Sequence, residues 1–276
     1  MSRAIPAAIV FLIVVIAAAV AAAVGGVAEP ALERGSASSG ALLLTGAADS
    51  ARLKLACTFA RSASDCGFRL QARDLSRASL ADIGRGGGRG LRLRTEPGDR
   101  GIAGSGDMER TDVYLSEEDT GCAEGREQVW EHSILLPDDF AMPSWQVYVL
   151  FDFHQTGSAG GANFHVLFKD GAFSFLGYGG EKLSGGRYGA TIGTAEKNVW
   201  YDFVYHVKWT SKRNGFFRAW VNGEQKLDHS GPTLYAGQGC YLKLANYHTP
   251  VCDPYPGCRG PASSVIHDRI VRHDIR

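Results

Sequence analysis

The stretch Gln146-Val147-Tyr148-Val149-Leu150-Phe151-Asp152-Phe153-His154 carries both sides of a sheet in nine residues. Successive strand residues point to opposite faces. As one regular strand it sends Val147, Val149, Phe151 and Phe153 to one side and Gln146, Tyr148, Leu150, Asp152 and His154 to the other. The first set is a core face. The second mixes aromatic, acidic and imidazole groups where an ordinary solvated face carries Lys, Glu, Ser and Thr, and so reads as a binding face.

Runs of the same kind recur outward from it, at 53–59, 90–95, 110–115, 128–136, 163–168, 172–177, 199–209, 216–221, 239–248 and 264–271. Gly, Pro, Asp and Asn clusters separate them, and no long amphipathic helix competes. Pro137-Asp138-Asp139 and Val221-Asn222-Gly223-Glu224 are turn chemistry. The glycine-rich run at 84–90 lacks the Gly-Lys-Ser/Thr ending of a phosphate loop and reads as a flexible turn before a strand. The expected fold is all-β, a jelly roll sandwich of two antiparallel sheets, one of them concave.

Lysine plus arginine and aspartate plus glutamate number 29 each among 276 residues, so no global field draws the chain to nucleic acid. Attraction for an anion must be local. The uncharged run 4–24 follows Arg3 and precedes a possible cleavage point after Ala28, so 1–28 reads as a signal peptide, or as an N-terminal anchor if it is not cut. The Ala/Ser/Gly-rich stretch 29–46 suits a linker, and 47–276 forms one domain, expected to be a monomer. Export implies a periplasmic or extracellular location. Six cysteines in that setting argue for disulfides. Cys57 with Cys66 and Cys252 with Cys258 are close enough to staple short loops, leaving Cys122 and Cys240 as a long-range pair; no Cys-x-x-Cys pair supports zinc.

The alternation test applied to 239–248 places Tyr241, Lys243 and Tyr247 on one face and Leu242 and Leu244 on the other, with small Ala245 between the polar groups. Tyrosines flanking a lysine make a sugar platform with a cation for a carboxylate. In Glu109-Arg110-Thr111-Asp112-Val113-Tyr114-Leu115 it gathers Arg110, Asp112 and Tyr114. An arginine oriented by a neighbouring aspartate can grip a carboxylate in bidentate fashion.

In order and spacing these strands resemble the concanavalin A-like polysaccharide lyases, the superfamily holding the family 7 alginate lyases, heparin lyase I and the fungal-type glucuronan lyases of family 20. Glu109-Arg110-Thr111-Asp112 is similar to their Arg-Ser/Thr-Glu strand, and Asp152-Phe153-His154 to their Gln-x-His strand. The run from Tyr241 to Tyr247 resembles their Tyr-Phe-Lys-x-Gly-x-Tyr strand. Leu135 to Phe140, Trp200-Tyr201-Asp202-Phe203 and Ala219-Trp220-Val221-Asn222-Gly223 extend the likeness over roughly Leu91 to Arg272.

The resemblance implies cleavage of an acidic, uronate-containing polysaccharide by β-elimination. Polar groups neutralise the uronate carboxylate, a base takes the C5 proton and an acid protonates the leaving oxygen. By position Arg110 is the neutraliser, His154 a neutraliser or base, Tyr247 the base or acid, and Lys243 a subsite or tyrosine-tuning cation. Tyr148, Asp152, Asp112, Tyr241 and Gln155 join the substrate face. Asp152 stands where the family has glutamine, so it is expected to be protonated, paired with Arg110 or bound to a cation, or else Gln155, Asn163 or Asn246 supplies the missing amide. The competing reading is a catalytically silent carbohydrate-binding module. No Glu-x-Asp-x-x-Glu strand supports a glycoside hydrolase, and neither cofactor nor catalytic metal is expected, a structural calcium being compatible with the sequence.

Overall fold

Apolar residues at every second position, interrupted by turn residues, produce fifteen strands among the residues that the computed structural model describes, 36–100, 108–158, 160–181, 186–249 and 260–276. They are β1 (Ala51–Cys57), β2 (Arg69–Ala72), β3 (Ala78–Ala81), β4 (Gly90–Thr95), β5 (Glu109–Leu115), β6 (Glu127–Leu135), β7 (Val147–Gln155), β8 (Phe164–Lys169), β9 (Ala172–Gly177), β10 (Tyr188–Thr194), β11 (Trp200–Lys208), β12 (Phe216–Val221), β13 (Glu224–Ser230), β14 (Cys240–Thr249) and β15 (Ser263–Ile275). One sheet runs β10-β9-β8-β7-β14-β5-β2. The other runs β13-β12-β11-β6-β15-β4-β3, with β1 paired to the later part of β15. Every expected strand is present within a few residues; β2, β3, β10 and β13 were not foreseen.

Aromatic rings fill the space between the sheets. Phe164 stacks on Phe217 at 4.0 Å, Phe151 on Tyr205 at 5.2 Å, and Phe153 meets Trp209 edge-on at 5.0 Å. Each fully buried ring of this kind contributes about 2 kcal/mol. The indole N–H groups of Trp130 and Trp209 both donate to the buried Gln128 Oε1, at 2.9 and 2.8 Å, which satisfies both of these core donors.

The alternation of β7 is broken. Val149 pairs with Leu167 of β8, and Phe151 pairs with the very next residue, Val166. Leu150 is therefore one residue too many, and it turns inward together with Phe151. From Phe151 to His154 the sequence-based assignment of faces holds. Before the bulge it is inverted: Tyr148 lies in the core, against Phe140 at 4.8 Å and His248 at 4.9 Å.

Part of the stretch read as a linker is helical. The helix α1 (Ser36–Thr45) puts Ala41 against Val129, Val204 and Trp220, on the outer side of the eight-stranded sheet. A short helix, α2 (Glu117–Thr120), is capped by the Ser116 hydroxyl, which accepts from the Asp119 N–H. Cys57 is bonded to Cys66 and Cys122 to Cys240, with Cα atoms 5.9 and 5.2 Å apart. These disulfides suit an oxidising, exported setting. The leader, Cys252 and Cys258 lie outside the described residues. Among the described residues no helix is long and apolar enough to cross a membrane.

Two outcomes follow for stability. Tyr148→Ala is expected to cost about 3–5 kcal/mol in urea unfolding, as for a buried aromatic, whereas a tyrosine on a binding face would cost little. Replacing Cys122 and Cys240 together by serine opens a link across 118 positions and is expected to cost about 5 kcal/mol in the chain-entropy picture, read from the same unfolding curves.

Candidate active site

The outer face of the seven-stranded sheet is built from cross-strand rows. One row runs Arg110, Tyr247, Val149, Leu167, Ser174, Thr191, from β5 to β10. A second runs Arg69, Tyr114, Lys243, Asp152, His165, Leu176, Gly189. Between them on β5 and β14 lie Asp112 and Ala245, directly paired. Beyond the second row, Tyr241 pairs with His154 across β14 and β7, and their rings lie 5.0 Å apart. Leu242, Leu244, Val113 and Leu115 point the other way and anchor these strands in the core.

Four charged side chains on this face are almost closed off from water: Arg110 at 6%, Asp112 at 1%, Asp152 at 5% and Lys243 at 5% exposure. Charges so buried are tolerated only when paired. Asp112 Oδ2 supplies the pairing, 3.4 Å from Arg110 Nε and 3.6 Å from Lys243 Nζ. The Arg110 guanidinium also lies 5.7 Å from the Tyr247 ring centre, and the Lys243 ammonium 5.5 Å from that of Tyr241.

Burial pushes the Asp112 carboxyl up to about 6, against the pull of Lys243 and Arg110 and with a further push from Asp152. Burial alone would lower the Lys243 ammonium, but Asp152 and Asp112 outweigh it and hold it above its ordinary value. The phenols of Tyr247 and Tyr241 are raised by burial, with Arg110 and Lys243 pulling against it, so both are protonated at neutral pH. His154 Nδ1 lies 3.0 Å from the Gln155 carbonyl. A carbonyl can only accept, so Nδ1 carries the proton and Nε2 of the neutral ring keeps its lone pair. The ensemble can hold one carboxylate between two cations with proton donors and an acceptor beside it.

Arg110, Asp112, Asp152, His154, Tyr241, Lys243 and Tyr247 thus share one face, as the strand parity requires. Tyr148 does not, because the Leu150 bulge sends it into the core. Gln155 does not join them either: its Nε2 donates to the Gly160 carbonyl and steadies the following loop. The other two expected amides are likewise committed. Asn163 Nδ2 approaches the Tyr178 carbonyl at 3.5 Å, and Asn246 Nδ2 donates inward to the carbonyls of Leu93 and Ser263. The N–H groups of these three amides are thus directed to backbone carbonyls rather than to the neighbourhood of Asp152.

His165 was missed. A single histidine in a short strand gives no pattern; only its pairing with Asp152 places it on this face. Burial drives its imidazole down to about 4, partly opposed by Asp152, and its Nδ1 has no hydrogen-bond partner among the described residues. The face continues on either side. A hollow of about 260 Å³ lies by Gln71, Tyr114, Glu117 and Tyr241, and one of about 530 Å³ runs over Leu167, Ser174, Leu176 and Thr191 beside Arg187.

Solved structures share this architecture. An endo-β-1,4-glucuronan lyase from the fungus Trichoderma reesei superposes with a TM-score of 0.62 at 15% identity, covering 80% of this chain and 95% of that one. A mutant of alginate lyase Aly36B in complex with an alginate trisaccharide gives 0.54 at 19% identity, over 82% and 99%. A family 7 alginate lyase in complex with product gives 0.52 at 13% identity, over 75% and 94%. At these identities the likeness concerns the fold. A search of curated protein sequences returns no match. The sequence model of the family described as polysaccharide lyase matches residues 70–270, a span that holds every strand from β4 to β14 and the whole of the charged face, and the chain accordingly belongs to the polysaccharide lyase family.

Proposed function

We propose that this lyase cleaves a uronate-containing polysaccharide by β-elimination on the outer face of the seven-stranded sheet. The observation that carries the reading is the pair of buried cations, Arg110 and Lys243, held on one carboxylate and flanked by two phenols. A neutral sugar polymer has no use for two desolvated cations; a carboxylate on every reacting sugar does. The related folds that carry glucuronan lyase and alginate lyase activities point to the same substrate class.

In the proposed step the uronate carboxylate lies against Arg110 and Lys243, which lowers the cost of placing negative charge at C5. His154 Nε2 takes the C5 proton. The electron pair of that C–H bond forms the C4=C5 double bond, the C4–O bond breaks, and the Tyr247 phenol donates its proton to the departing oxygen. Tyr247, held protonated by burial, is suited to the acid role. Tyr241 and Tyr114, whose rings lie 6.3 Å apart, form the wall on which a neighbouring sugar packs. An exported location, periplasmic or extracellular, brings the enzyme to such a polymer.

Wild-type protein incubated with glucuronan, alginate and heparin-like polymers is expected to generate the ultraviolet absorbance of an unsaturated uronate from at least one of them. Binding without that product would leave a carbohydrate-binding function in its place. Tyr247→Phe removes only the hydroxyl, so it is expected to lower kcat by about 10²–10⁴-fold with little change in substrate affinity. Arg110→Ala is expected to weaken both, because the charge that it meets is already present in the bound substrate and grows as C5 loses its proton.

A further inference from the structure

Asp152 occupies the middle of the charged face, and its position raises a question of charge balance. Along its row it is paired with Lys243 on β14 and with His165 on β8. Among the described residues the other ionisable groups that act on this cluster are Arg110 and Asp112 from β5 and Tyr241 and Tyr247 from β14; His154 stands two positions along β7. Among the described residues, with both aspartates ionised, the two cations Arg110 and Lys243 face the two anions Asp112 and Asp152. A uronate entering between Arg110 and Lys243 adds a third anion where water is nearly excluded. Uncompensated buried charge is costly, and the cheapest remedy is a proton.

The two aspartates are not equivalent recipients. Asp112 already pairs with both Arg110 and Lys243, at 3.4 and 3.6 Å, so a proton placed on it would weaken two contacts at once. Asp152 makes no ion pair within 4 Å among the described residues, and its Oδ1 is buried without a hydrogen-bond partner. Across the strand the Nδ1 of His165 is buried and unpartnered as well. A neutral Asp152 becomes an O–H donor that can serve the substrate carboxylate or that imidazole nitrogen, satisfying an atom that otherwise has nothing to bond.

Resting on the reading of the substrate as a uronate, we infer that Asp152 takes up one proton when the uronate binds and meets its carboxylate as a hydrogen-bond donor. The enzyme then binds substrate with proton uptake, and its affinity falls as the pH rises. The sign follows from linkage: the proton is bound in the complex and not in the free protein, so above the resting value of Asp152 each pH unit weakens binding by about tenfold until the value in the complex is passed. Asp152→Asn supplies a permanent uncharged donor, which removes both the uptake and the pH dependence.

The test is isothermal titration calorimetry at pH 7 in buffers of different ionisation enthalpy, with a β-1,4-glucuronan tetrasaccharide and an alginate tetrasaccharide as probes. The Tyr247→Phe protein is used so that no turnover intervenes. Uptake of about one proton is expected, with none when Asp152→Asn is added and with uptake retained when His165→Gln is added instead. In the enzyme without these changes KM should rise about tenfold per pH unit, and in Asp152→Asn it should stay flat. Binding without proton uptake overturns the inference while leaving the uronate reading intact. Uptake that survives Asp152→Asn, or that vanishes only with His165→Gln, overturns it too. If neither tetrasaccharide binds, the uronate reading itself fails and this inference with it.

Discussion

Two cations lie buried on the outer face of a sheet because one carboxylate bridges them. Without Asp112, Arg110 on β5 and Lys243 on β14 would repel each other in a setting nearly closed to water. With it, the face is a preformed anion site. The remainder of the domain serves to hold that geometry: Val113, Leu115, Leu242 and Leu244 root the two strands in an aromatic core, and the Cys122–Cys240 bond ties the start of β14 beside α2.

Such a site stores electrostatic cost. Asp112 is driven up towards neutral pH by its own burial, the phenols are held in their protonated form, and Asp152 and His165 each carry a buried atom with no partner among the described residues. Groups left so incompletely satisfied are those that a ligand completes. The hollow over Leu167, Ser174 and Leu176, with Arg187 at its edge, lies to one side of this cluster.

The central strands were readable because each combined apolar residues at every second position with polar ones between. The four that were not foreseen, β2, β3, β10 and β13, are the outermost strands in the two sheet orders. They are short or polar: Arg69–Ala72 and Ala78–Ala81 have four residues each, Tyr188–Thr194 is rich in Gly and Thr, and Glu224–Ser230 is charged. Edge strands are kept that way to discourage further pairing, which is also what hides them from a pattern built on apolar alternation. The composition of the charged face was legible where parity ran unbroken, from Tyr241 to Tyr247 and from Arg110 to Tyr114. It was misread at Tyr148, because a bulge at Leu150 shifts the parity by one without any mark in the residue types. His165 became visible only through its cross-strand partner.

The most direct check is a structure of the Tyr247→Phe protein with a uronate tetrasaccharide bound. One sugar carboxylate should lie within hydrogen-bond distance of both Arg110 and Lys243, with C5 of the same ring facing His154 and the glycosidic oxygen facing position 247. A sugar chain that crosses the sheet elsewhere, or that turns its carboxylates to solvent and away from Arg110 and Lys243, would contradict the assignment of this face as the uronate site.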